Sequence, residues 1–185
     1  MENQNYTIAE TYELPSKGLI YSEIPDFDPT VRIKSMTVYD DMFRQGVTTK
    51  AHEKMCELID RALITKLPIS AYDMCMGDYE FLLHKLRVVT YGPEYKMTVG
   101  CPHCGKIHET TINLDDLKVK EFDINEFRKL TDITLPVSHD VIELNVQTPR
   151  MLDTIEEQTQ QFKKENPEIK YDPTFMFILK NSIKK

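Results

Sequence analysis

Two cysteines separated by two residues, Cys101-Pro102-His103-Cys104, are followed by Gly105 and Lys106 and lie between two runs that alternate like strands, residues 95–100 and 107–114. This pattern restricts local geometry more than any other in the chain. It describes a metal knuckle at the tip of a β-hairpin. The turn puts both thiols on one side, and Gly105 can take the positive φ that a Cβ would oppose. Zinc takes four ligands in a tetrahedron, and the hairpin supplies two, Cys101 and Cys104. The second CxxC of a full zinc ribbon is missing. His108 lies four residues past Cys104 on the outgoing strand and is the third candidate ligand. His103 sits inside the turn, where its ring points away. Cys56 and Cys75 would join only if the segments carrying them pack on the knuckle. Two states stay open: one structural zinc ion, or a metal-free turn with two reduced thiols. A zinc here is structural, since no open coordination position beside a general base is suggested. A redox pair would head a helix after a strand, and this one lies between strands.

At 185 residues, with 41% apolar and 29% charged side chains, the chain has material for one good core. Its net charge of −7 argues against a general phosphate-binding surface, because non-specific nucleic-acid affinity comes from clustered Lys and Arg. No run approaches the roughly 20 apolar residues of a membrane span. Residues 1–9 lack the basic-then-apolar layout of a secretory signal, and the CxxC suits a reducing compartment, so a cytoplasmic setting is expected. No serine lies in a G-x-S-x-G elbow, no glycine-rich phosphate loop occurs, and the five histidines are scattered. Adjacent carboxylates such as Asp40-Asp41 and Asp115-Asp116 point to different faces. No catalytic residue, enzyme activity or small-molecule substrate is expected.

The chain reads as an α+β domain, helices packed on short antiparallel strands, with the CxxC hairpin (half a zinc ribbon) as an appendage. Residues 1–11 are expected to be a flexible arm and 12–94 a strand and helix part. Residues 95–114 are the hairpin, and 115–185 a second hairpin with helices, packed with the first part as one domain. Residues 31–36 alternate as a strand. Thr37 is a candidate cap for a short helix ending at Gly46, and a 3.6-residue stripe (Ala51, Met55, Leu58, Ile59, Ala62) predicts a helix over 50–66. Asp78 reads as the cap of a helix over 79–89. Thr148-Pro149 opens a long polar helix, and Asp172-Pro173 a last one whose apolar stripe includes Phe175, Met176, Ile178, Leu179 and Ile183.

Several of these segments, in this order, resemble the small baseplate proteins of contractile-tailed bacteriophages of T-even type. They are Glu13-Leu14-Pro15-Ser16-Lys17-Gly18 with Tyr21; Arg32 to Thr37 ahead of an acidic helix; Asp78-Tyr79-Glu80-Phe81-Leu82-Leu83 running to Arg87; Tyr91-Gly92 before the knuckle; Leu135-Pro136; and Thr148-Pro149. The order spans about residues 12 to 155; the last helix departs from it, as does the lack of a second ligand pair. The resemblance implies a late virion protein of the tail baseplate, at its hub, assembled in the host cytoplasm and acting through protein–protein contacts without catalysis. Implied partners are other hub, wedge or tail-tube proteins. Leu14, Pro15 and Tyr21 would then dock as extended backbone on a neighbour, and Phe175, Ile178 and Leu179 as a helix in a groove; packing inside the chain itself is the alternative for both. The alternative function is a zinc-ribbon-like nucleic-acid-associated or regulatory binding protein.

Overall fold

The computed structural model describes residues 8–120 and 122–184. Strand β1 (Ala9–Glu13) pairs antiparallel with β2 (Thr30–Lys34), Tyr12 lying opposite Val31. Val31 and Ile33 alternate with exposed Arg32 and turn inward, fully buried. Residues 9–11, expected in a loose arm, are therefore strand; residues 1–7 of that arm lie outside the described residues. The chain between the strands folds back through a turn at Gly18 and a short 3-10 turn, Leu19–Tyr21. Gly18 has φ +74° and a Cβ there would meet the Phe27 ring at 3.2 Å, so both backbone and space demand glycine.

Helix α1 (Val38–Gln45) starts with a capping box between Thr37 and Asp40. Helix α2 (Ala51–Ala62) stops before Lys66, where periodicity alone would end it. Leu63 instead bridges to Ile33, and the Ile64 N–H donates to the Arg32 carbonyl at 2.8 Å, so the sheet edge captures the chain. Helix α3 (Met76–Tyr91) lies across β2 and α2, burying Tyr79, Leu82, Leu86 and Val89. Strands β3 (Glu94–Gly100) and β4 (Ile107–Asn113) form the hairpin. Helix α4 (Ile124–Thr131) leads into a small sheet of β5 (Asp132–Thr134), β6 (Val141–Leu144) and β7 (Ile183–Lys184), with β6 central. Helix α5 (Pro149–Glu165), capped by Thr148 with Pro149 at its first position, packs on α2 and carries α6 (Thr174–Ser182). The α+β class stands, with small antiparallel sheets. A zinc ribbon would need further ligands, and among the described residues no group of three or more His, Cys, Asp or Glu could hold a metal ion.

The core joins Leu14, Tyr21, Val31, Ile33, Leu58, Ile59, Met74, Leu82 and Leu86, each large apolar side chain contributing about 1.5–3 kcal/mol on burial. Two carboxylates lie inside or against it. Asp78 is fully buried in the first turn of α3, where it does not cap that helix. It accepts hydrogen bonds from the Ser16 N–H (3.0 Å), the Ser16 hydroxyl (2.6 Å) and the Tyr21 hydroxyl (2.8 Å). The Tyr21 oxygen in turn accepts the Cys75 N–H at 3.0 Å. Burial, with Cys75 and Asp78 alongside, drives the Tyr21 phenol well above its ordinary range, so it stays a donor.

Asp153, on α5, does for α2 what α2's own Lys50 does not. It accepts the N–H groups of Glu53 (2.9 Å) and His52 (3.4 Å) in the first turn of α2, touches His52 Nδ1 at 2.7 Å and accepts the Tyr72 hydroxyl at 3.0 Å. Burial pushes its carboxyl up, but the His52 ring, the Glu53 and His52 N–H groups and the Tyr72 hydroxyl together hold it below the ordinary aspartate range.

Asp78→Ala strands three donors in the core and should cost about 3 kcal/mol or more in urea unfolding; a loss under about 1 kcal/mol would mean the segment is held otherwise. Because the folded-state pKa of Asp153 is depressed, its contribution is complete above the ordinary value of 3.8 and lost as pH falls through the lower folded value. The stability gap between the wild type and Asp153→Asn should therefore narrow below about pH 4 in urea titrations.

Candidate functional site

The structure places Leu14 and Tyr21 inside the molecule, 1% and 6% exposed, and Pro15 half-buried beside them. This corrects the docking role expected for that segment. Its side chains complete this chain's own core because the Asp78 carboxylate reaches across and pulls Ser16 and Tyr21 inward.

Helix α6 behaves differently. Phe177, 8% exposed, packs against Phe162 of α5 with ring centroids 5.7 Å apart and the planes at 72°. One turn on, the Asn181 amide donates to Gln158 of α5 at 3.0 Å and to the Phe177 carbonyl at 2.8 Å. At the start of the helix Asp172 accepts the Thr174 N–H and pairs with Lys163 at 3.0 Å. These contacts fix one face of α6 on α5. On the opposite face Phe175 (67% exposed), Met176, Ile178 and Leu179 meet solvent, with Tyr171 and Ile183 at its two ends. Phe175 and Leu179, four residues apart, lie on one helical stripe about half a turn from Phe177, and Ile183 follows in β7. Exposed apolar side chains clustered in this way mark interaction surfaces. Phe175, Ile178 and Leu179 thus lie together and exposed; Met176 and Tyr171 are exposed beside them, and the stripe in the sequence already contained Met176.

The hairpin is anchored at its base. Arg87 of α3 donates to the Gly92 carbonyl at 2.7 Å and lies 5.0 Å from the Tyr95 ring, Lys85 pairs with Asp115 at 3.0 Å, and Leu114 is buried. Beyond the base every residue of β3 is exposed, and all of β4 except Ile112. At the tip the Cys101 N–H donates to the Lys106 carbonyl and the Gly105 N–H to the Cys101 carbonyl, both at 2.9 Å, with Gly105 at φ +69°. The Cys104 and His103 N–H groups and the Cys104 thiol all face the Cys101 sulfur and hold its pKa below the ordinary thiol range. This is a pre-shaped knuckle with two donors. His108 sits opposite Val99 in the strand ladder, and among the described residues it forms no group of three metal-ligating side chains with the two thiols. Cys56 and Cys75 are core residues, their thiols pushed up by burial to about 12 and about 11. This chain's described residues fit half of a zinc tetrahedron.

Several clefts open on the described surface, two of them lined largely by apolar side chains. One, about 360 Å³, runs between Pro15, Met76, Phe122, Phe127 and Val146. The other, about 580 Å³, is lined by Met36, Met55, Leu83 and Tyr91, with Arg44, Glu80, His84 and Arg87 as its charged or titratable groups and no Ser, Thr or Cys among its described lining. His84 Nε2 lies there without a hydrogen-bond partner, and burial holds that ring's pKa down. No helix among the described residues is long and apolar enough to cross a membrane.

The model of the family described as T4 bacteriophage base plate protein matches residues 7–184. No curated protein and no solved structure matches the chain.

Proposed function

The chain belongs to the T4 bacteriophage base plate protein family, a structural protein of the virion's tail baseplate, and we propose that it acts there in the hub region through protein–protein contacts, without catalysis. The outer face of α6 carries this reading. Phe175, Ile178 and Leu179 project from a helix whose other face is already committed to α5, so a partner can cover them without unfolding anything. Its partner is a neighbouring hub, wedge or tail-tube protein that presents an apolar groove, taken up as a helix in a groove. Assignment to the hub rests on the ordered resemblance of residues 13–18, Tyr21 and 78–83, residues that the Asp78 network ties together. The nucleic-acid alternative has little to support it, because the net charge is −7 and only Lys96 and Lys106 give the hairpin basic character.

Tagged chain recovered from infected cells should bring down baseplate proteins in fixed ratio by mass spectrometry. Phe175→Asp combined with Leu179→Asp should reduce that recovery about tenfold or more, while stability to urea changes by less than about 0.5 kcal/mol because both positions are exposed. Full recovery by a folded double variant would show that α6 is not the docking face.

A further inference from the structure

We propose that the CPHCG tip is one half of a shared metal site, in which Cys101 and Cys104 from two copies of this chain bind a single zinc ion. The inference is independent of the role assigned to α6.

Three observations converge on it. The tip is already shaped for a metal. Gly105 takes a left-handed φ of +69°, and the Cys101 and Gly105 backbones close the loop with two 2.9 Å bonds, so the two cysteines bracket a tight, fixed turn.

The donor count is the second observation. Zinc in a structural site is four-coordinate, and a set of four cysteine thiolates is among its usual ones. The tip offers two cysteine sulfurs, His108 is not gathered to them, and the remaining cysteines are in the core. Doubling the tip about a two-fold axis gives four cysteine sulfurs, two from Cys101 and two from Cys104, with no other protein required. Such a contact is self-complementary, as a two-fold contact must be.

The third observation is placement. The strands stand clear of the core, since β3 and β4 pair with each other and their exposed residues run the length of the hairpin. The tip is therefore open to a second tip. Strand alternation puts Tyr95, Met97 and Val99 on one face, all exposed, and a neighbouring hairpin would cover apolar side chains that this chain leaves in water. Lys106 directly follows each knuckle, so two copies bring two ammonium groups near a zinc–thiolate centre of net double negative charge. On binding, the cysteine protons are released to solvent as the sulfurs ligate.

Full-length chain kept reduced and given Zn²⁺ should appear by native mass spectrometry as a pair of chains holding one zinc ion. Chelation should return it to single chains, and Zn²⁺ should shift the association midpoint by about tenfold or more. Co²⁺ in place of Zn²⁺ should show the intense sulfur-to-metal charge transfer and visible bands of a four-thiolate tetrahedron. Cys101→Ser and Cys104→Ser should each abolish the metal-dependent pair without moving the urea midpoint, because the tip lies outside the core. His108→Ala should leave pairing and metal content unchanged. One zinc held by a single chain, no retained metal, a pair that persists without zinc or thiols, or loss of metal in His108→Ala would each overturn the proposal.

Discussion

A carboxylate without access to water must find donors, and in this fold Asp78 finds them on a segment 62 residues earlier in the chain. That requirement shapes the N-terminal half. Ser16 gives it both a backbone and a side-chain donor, Tyr21 gives a third, and the Tyr21 oxygen then takes the Cys75 N–H just ahead of α3. The crossing from β1 to β2 is thereby pinned to the helix that covers the sheet. Leu14, two residues before Ser16, enters the core because its neighbour is held there. Asp153 repeats the device between α5 and α2. In both places a negative group sits where unpaired N–H and hydroxyl donors converge, so the protein replaces water around the charge with fixed dipoles.

These two ties explain why other parts of the molecule can be left open. The elements that share the core, β1, β2, α2, α3 and α5, are joined by long-range hydrogen bonds as well as by apolar packing. The outer face of α6 and the β3–β4 hairpin contribute little to that core. Solvent-exposed Phe175 and Leu179, or a two-stranded hairpin standing on its base, would be liabilities in a chain that had to hide every apolar group by itself. In the role proposed here they are the positions where neighbours would complete the surface.

What could be read from the sequence was whatever is decided locally. The hairpin, with its CxxC and Gly105, appears where expected, because turn geometry is set by a handful of adjacent residues. Thr37 and Thr148 cap the helices they were expected to cap, and the apolar stripe of α6 is divided by the fold into a packed Phe177 and an outward Phe175 and Leu179. Contacts between distant residues were not readable. Asp78 looked like a helix cap, since an Asp ahead of an amphipathic run normally is one, and nothing near it announces Ser16 and Tyr21 as partners. Asp153 lies within a polar helix and looks like any solvated carboxylate. Helix α2 ends early because Leu63 is captured by Ile33 across the sheet edge, a tertiary contact that overrides helical periodicity. The same reason moved Leu14 and Tyr21 from a supposed docking arm to the interior.

A half site at the end of a hairpin also makes sense as an assembly device. Two thiolates hold zinc poorly and four hold it well, so in the proposed site the metal would be held only when a second tip arrives. Metal affinity and association then become one equilibrium, and neither is populated without the other. A complete site within one chain would stabilise the hairpin but carry no information about neighbours. The helix face works on the opposite principle: it is complete in the single chain, apolar and fixed, and needs only a groove of the right shape. In the two proposals one surface would depend on another copy of the same chain and the other on a different protein. The rigid base of Arg87, Leu114 and the Lys85–Asp115 pair keeps the first in a set direction from the core that carries the second.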